Sequence, residues 1–165
     1  MGCGCNSNND VSFETDNCAC RTLRDILAAQ DANNGNGCTT SCARFALSPA
    51  SNGPSTIPFV LTTKANTLFY AFGNITSSGT GSANDCFISV YFKVRAVDED
   101  CCAVLEILEP NNSRSIQTGN ECCVPLEEVC DPDPLTLTTT GQCVTVDLNC
   151  ICSVQCFDPS VVSNN

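Results

Sequence analysis

The sixteen cysteines of this chain fall at spacings that exclude most of what clustered thiols build. No Cys-x-x-Cys occurs, which removes the thioredoxin-type redox motif and the usual zinc-knuckle pair. Cys-x-Cys occurs at Cys3/Cys5, Cys18/Cys20 and Cys150/Cys152, and Cys-x-x-x-Cys at Cys38/Cys42 and Cys152/Cys156. Adjacent pairs occur at Cys101-Cys102 and Cys122-Cys123. In an extended strand neighbouring side chains point to opposite faces, and a bond between two neighbours requires strained geometry. Doublets of this kind suit a chain that bonds inward with one thiol and outward with the other.

Histidine is absent from the 165 residues. That excludes Ser-His and Cys-His catalytic pairs and an imidazole base, and it limits any zinc site to Cys alone or Cys with carboxylates. There is no Gly-x-Ser-x-Gly elbow and no glycine-rich phosphate loop. Nothing supports an enzyme, and no catalytic residue, resident metal or cofactor is expected. Seven basic against 18 acidic residues give a net charge of −11. Binding to a phosphate backbone needs clustered Lys and Arg, so no nucleic-acid partner is expected. The acidic pairs Asp98/Asp100 and Asp131/Asp133 lack the glycine and distal glutamate of a calcium loop and are read as solvated turns.

A chain of this length buries roughly 70% of its unfolded surface on folding. It does not need disulfides merely to fold, so the thiols are a surplus. Cysteine at this density normally marks an extracellular scaffold, yet the N-terminus has no charged and apolar leader of the secretory kind. No apolar run reaches the ~18 residues of a membrane span. The sequons at Asn74 and Asn111 are discounted for want of a secretion signal. The expectation is a chain made in a reducing cytosol with an extracellular thiol load. Either the thiols hold metal, or the protein meets oxidant without passing through a secretion channel. Metal-storage chains also use Cys-x-Cys and doublets, but they lack a hydrophobic core, and 42% of this chain is hydrophobic.

Residues 1–15, rich in Gly, Asn and Ser, predict a flexible arm. Residues 16–165 predict one mainly-β domain with an N-terminal helix over about 16–31, capped by Asp16 and burying Leu23, Ile26 and Leu27. Short strands are predicted at Ile57–Thr63, Leu68–Phe72, Phe87–Val97, Cys102–Leu108, Val124–Val129 and Leu135–Thr140. In the third of these, Ile88, Val90, Phe92 and Val94 alternate with Ser89, Tyr91, Lys93 and Arg95, which predicts one buried and one solvated face. A last strand runs from Val144 to Cys156, with Val144, Val146, Leu148, Cys150, Cys152, Val154 and Cys156 on one face. If it stays extended, three thiols line the core, either in bonds or as small buried hydrophobes. Seven or eight short strands predict an antiparallel β-sandwich or jelly-roll-like domain.

Three segments carry a resemblance. Pro58–Phe72 (PFVLTTKANTLFYAF), Phe92–Leu108 (FKVRAVDEDCCAVLEIL) and Cys143–Phe157 (CVTVDLNCICSVQCF) are similar to the spore coat Y/Z family of endospore-forming bacteria, the cysteine-rich exosporium and outer-crust proteins. The resemblance implies a structural protein that self-assembles into a two-dimensional, often hexagonal, disulfide-cross-linked lattice. It implies synthesis in the mother cell cytosol, deposition on the spore surface, and oxidation in place once the mother cell lyses. The partners would be further copies of the chain, in hexameric units, and other coat or exosporium proteins. On that reading Cys3 and Cys5 on the arm, and one member of each doublet, Cys101 or Cys102 and Cys122 or Cys123, are candidates for intersubunit bonds. Cys18, Cys20, Cys38, Cys42, Cys143, Cys150, Cys152 and Cys156 are candidates for bonds within the chain. A cysteine-rich metal-binding protein is the alternative function.

Overall fold

The structure, a computed structural model, describes residues 17–32, 56–74, 86–110, 116–118, 123–130 and 135–163. The expected arm with Cys3 and Cys5 lies outside the described residues, as do Cys38, Cys42 and Cys122. Helix α1 spans Cys18–Ala32. Its cap is Asn17 rather than the expected Asp16: the Asn17 Oδ1 accepts from the Ala19 amide at 3.0 Å, filling one of the donors that a helix start leaves open. Ala19, Cys20, Leu23, Ile26 and Ala29 form its buried stripe, with Leu27 at the margin.

The strands are β1 (Phe59–Thr63), β2 (Ala71–Asn74), β3 (Cys86–Ser89), β4 (Phe92–Val97), β5 (Cys102–Pro110), β6 (Leu137–Asp147), β7 (Ile151–Cys156) and β8 (Val162–Ser163). Six form a sheet in the order β7-β1-β4-β5-β6-β8, and β2 and β3 form a separate ribbon. The pairings are antiparallel except the short parallel contact of β6 with β8. The expected mainly-β class with an N-terminal helix is what the chain adopts.

The predicted strand Phe87–Val97 is two strands in two sheets. Ser89 makes the break. Its Oγ accepts from the Tyr91 amide at 3.0 Å and donates to the Leu108 carbonyl at 2.6 Å, taking over ladder bonds at the jog. Nor is one face of the segment solvated. Ser89, Tyr91 and Lys93 are buried, and of the four residues expected outside only Arg95 is exposed. The alternation rule assumes water on one side of the sheet, and here each side has its own core. Phe92, Val94, Ala103 and Leu105 pack in the cluster that includes α1. Val90, Tyr91 and Leu108 pack with Val60, Ile116, Val124 and Leu137 in a second. Tyr91 meets Phe157 edge-on, with ring centroids 5.4 Å apart.

Burial of charge in β4 and β5 is compensated locally. Lys93 lies opposite Glu106 in the register, and its Nζ donates to Thr56 Oγ1 at 2.6 Å. Glu106 is 1% exposed and ion-paired to Arg95 at 2.5 Å. Its other oxygen accepts from the Gly141 amide at 2.8 Å. The β5–β6 register shifts at this point, between Glu106 and Leu108. Gly141 takes a left-handed φ of 70°, which suits a residue without Cβ. Thr140 Oγ1 donates to the Ile107 carbonyl at 2.5 Å and accepts from the Gln142 amide at 3.1 Å. Side chains thus replace the ladder bonds lost at the bulge.

Two other segments differ from expectation. Val124–Val129 contains a 3-10 turn at Leu126–Glu128 instead of a strand, preceded by Pro125, which has no amide to give a ladder. Leu135–Thr140 is the start of a longer strand that runs through the bulge to Asp147.

Removing Glu106 leaves Arg95 and the Gly141 amide without their carboxylate and the buried Lys93 without the opposite charge beside it. Glu106→Ala is expected to lower stability by about 3–5 kcal/mol in urea unfolding; an unchanged midpoint would refute the assignment. Burial, then the adjacent Arg95 charge, hold the Lys93 ammonium below its ordinary 10.5, against an upward pull from Glu106. Between that depressed native value and 10.5 the unfolded chain keeps a proton the native chain has released, so stability rises with pH there. Lys93→Met is expected to abolish that rise; an identical slope in a pH series of unfolding curves would contradict it.

Candidate functional site

The β4–β5 turn is built around Asp98. Its amide donates to the Cys102 carbonyl at 2.9 Å, and its Oδ1 accepts from the Cys102 amide at 2.7 Å. Asp98 therefore has the structural turn role expected of it. Cys101 occupies the left-handed position that closes such a hairpin, with φ 62°, where glycine is usual and another residue costs about 1–2 kcal/mol. The cysteine there is bonded to Cys20 of α1, with Cα atoms 5.5 Å apart and a sequence separation of 81. Arg24 Nη2 donates to the carbonyls of Asp98 and Glu99 at 2.8 and 3.2 Å. Asn17 Nδ2 donates to the Leu148 carbonyl at 2.5 Å, and the Leu148 amide donates to the Cys101 carbonyl at 3.0 Å. Helix start, hairpin and C-terminal turn are locked at one corner.

Of the doublet Cys101-Cys102, both candidates for an intersubunit bond, the structure places Cys101 in a buried bond within the chain. The left-handed turn directs its sulfur to the helix, whereas Cys102, the first residue of β5, is half-buried and keeps its thiol. Cys156 is also in a disulfide. The predicted continuous strand from Val144 to Cys156 is interrupted by a 3-10 turn at Leu148–Cys150, where the Asp147 side chain accepts from the Asn149 amide. The turn changes the alternation, so Ile151 is buried while Cys150 and Cys152 are exposed. A register shift against β1 between Thr62 and Thr63 accommodates the change. These two thiols therefore leave the core face on which the sequence pattern placed them.

Cys18, Cys143 and Cys152 are exposed free thiols where bonds within the chain were expected. Cys123 is half-buried. Cys86 and Cys130, for which the spacings gave no expectation, are exposed free thiols as well. The signal that marks them is isolation: neither has another cysteine within four residues to serve as a local partner. Free thiols at Cys18, Cys86, Cys130, Cys143 and Cys152 thus face outward from several different elements. Such thiols, once deprotonated, are positioned to exchange or oxidise with sulfur on a neighbouring molecule. Among the described residues no group of three or more Cys, Asp or Glu is placed to hold a metal ion. No helix among them is long and apolar enough to cross a membrane.

A family model for spore coat protein Z matches residues 3–159. Spore coat protein Z of Bacillus subtilis (strain 168) is 27% identical over 153 residues, which cover 93% of this chain and 97% of that protein. No solved structure matches.

Burial separates the thiols by reactivity. In the native protein Cys18, Cys86, Cys130, Cys143 and Cys152 are expected to alkylate within minutes, and Cys20 and Cys101 only after unfolding and reduction. Mass spectrometry of the labelled peptides checks this, and early labelling of Cys20 would contradict it. Cys20→Ala is expected to cost about 2–5 kcal/mol, because the bond closes a long loop of the unfolded chain. Calorimetry under non-reducing conditions measures it.

Proposed function

The chain belongs to the spore coat protein Z family, and from that premise we propose that it is a structural subunit that assembles into a two-dimensional layer of the spore surface, hardened by disulfides between subunits. The observation that carries the reading is the division of the cysteines. Of the thiols described, Cys20 and Cys101 are buried and bonded at the helix corner, while at least five free thiols face outward from a fold whose cores are closed by Leu, Ile, Val, Phe and Tyr. Outward thiols do little for the folding of a single chain, but they convert contacts between chains into bonds. A non-covalent layer dissociates on dilution, and a bonded one does not.

On this reading the layer is exosporium or outer crust, the partners are other copies in hexameric units and further coat proteins, and the chain has no catalytic role. Cys3, Cys5, Cys102, Cys122 and Cys123 remain candidates for intersubunit bonds, joined by the outward thiols on the strands. Oxidation comes after release of the assembled layer from a reducing cytosol.

The purified protein, allowed to assemble and oxidise in air, is expected to give ordered sheets in electron microscopy. Denaturing gels without reductant should show a ladder of multimers that collapses to monomer when dithiothreitol is added. Material that migrates only as monomer without reductant would overturn the cross-linked layer.

A further inference from the structure

We propose that the outer face of the β2–β3 ribbon is a docking surface for a second copy of this chain, and that a disulfide between the two Cys86 thiols locks the pair. The proposal rests on the reading of the chain as a self-assembling subunit and adds a place and a residue to it.

The two faces of the ribbon differ. Ala71 and Gly73 are buried, and Gly73 lies so close to the Phe87 ring that an added Cβ would come within 2.3 Å of it. Tyr70 and Phe72, at the alternate positions, are 38% and 70% exposed. Phe72 lies opposite Ile88, which is half-buried against the second core cluster, and Asn74 lies opposite Cys86. Cys86 is an exposed free thiol. The large hydrophobic side chains exposed among the described residues are Tyr70, Phe72 and Leu126, so two of the three lie on this face. Leaving a phenylalanine in water forgoes about 1.5–3 kcal/mol, and no contact within the described fold recovers it.

Charge selects the occupant. At a net charge of −11 two copies repel over most approaches. The segments AFGN and CFIS of β2 and β3 hold no ionisable group except the thiol, so here two copies meet without opposing carboxylates on the strands. An uncharged apolar face is its own complement, and a two-fold axis beside Cys86 sets the two thiols against each other. Two exposed aromatics bury far less than the ~800 Å² per partner of a stable interface, so the contact is weak until it is bonded. In the bonding step two S–H bonds break and one S–S bond forms. The two protons and two electrons pass to dioxygen, giving hydrogen peroxide.

The test uses the full chain, purified reduced, oxidised in air, and digested without reduction for mass spectrometry. A Cys86–Cys86 linked peptide pair is expected. Phe72→Asp should lower its yield at least tenfold while leaving the Cys20–Cys101 peptide pair unchanged, which shows that the variant folds. Cys86→Ser should lose the link and keep the Cys20–Cys101 bond. A Phe72→Asp variant that cross-links equally well overturns the proposal. So does one that loses the Cys20–Cys101 bond, because Phe72 would then be covered by its own chain. Sheets held by other cysteines, with Cys86 still alkylatable, overturn this proposal and leave the layer standing. Cys86-linked dimers that never form sheets support the contact and overturn the layer.

Discussion

Burial of β4 and β5 on both faces is the constraint on which the rest of the structure depends. With α1 on one side and the Tyr91–Leu108–Leu137 cluster on the other, the stretches Phe92–Val94 and Leu105–Leu108 have no solvated face in which to place polar residues. Lys93 and Glu106 are kept there only because each finds partners at hydrogen-bond distance, in Thr56, Arg95 and the Gly141 amide. Breaking such a set is far more costly than never having built it. The same double covering lets ordinary apolar side chains close the protein, so the cysteines are released from the task that they perform in very small domains.

The corner where Cys20 meets Cys101 joins local and long-range order. A left-handed residue in a tight turn, a helix side chain capping two turn carbonyls, and a disulfide between distant parts of the chain all act on one hairpin. The neighbouring Leu148 turn is tied to this corner through its backbone, and that turn shifts the alternation locally, so that Ile151 is buried and its neighbours Cys150 and Cys152 are exposed while Val154 and Cys156 still pack against the core. Cys150 and Cys152 face outward for this reason. One structural corner thus helps to turn both side chains away from the core.

Much of the architecture was legible in local patterns. The spacing of Leu23, Ile26 and Leu27 located α1, and the β-prone runs located β1, β4 and β5 within a few residues. What failed did so where tertiary structure overrides period. Ser89, Tyr91 and Lys93 looked solvated because alternation cannot tell a half-exposed strand from one with a different core on each side. Val124–Val129 looked extended because its apolar content hid the effect of Pro125. The candidate site was legible as a class of chemistry and much less as a set of residues. Cys86 and Cys130 had no neighbouring cysteine to draw attention to them. The Cys101-Cys102 doublet carries no local sign of which thiol points inward, because that depends on the left-handed turn at Cys101.

By itself the sequence determined that this is a mainly-β, acidic, histidine-free protein with more thiols than its folding requires. Composition and spacing carry those conclusions because they depend only on side-chain chemistry and on neighbours along the chain. Which thiols are inside and which are outside was decided only by the tertiary structure. Direction changes with every turn, bulge and left-handed residue. A single 3-10 turn after Asp147 was enough to bring two cysteines from the expected core face to the surface.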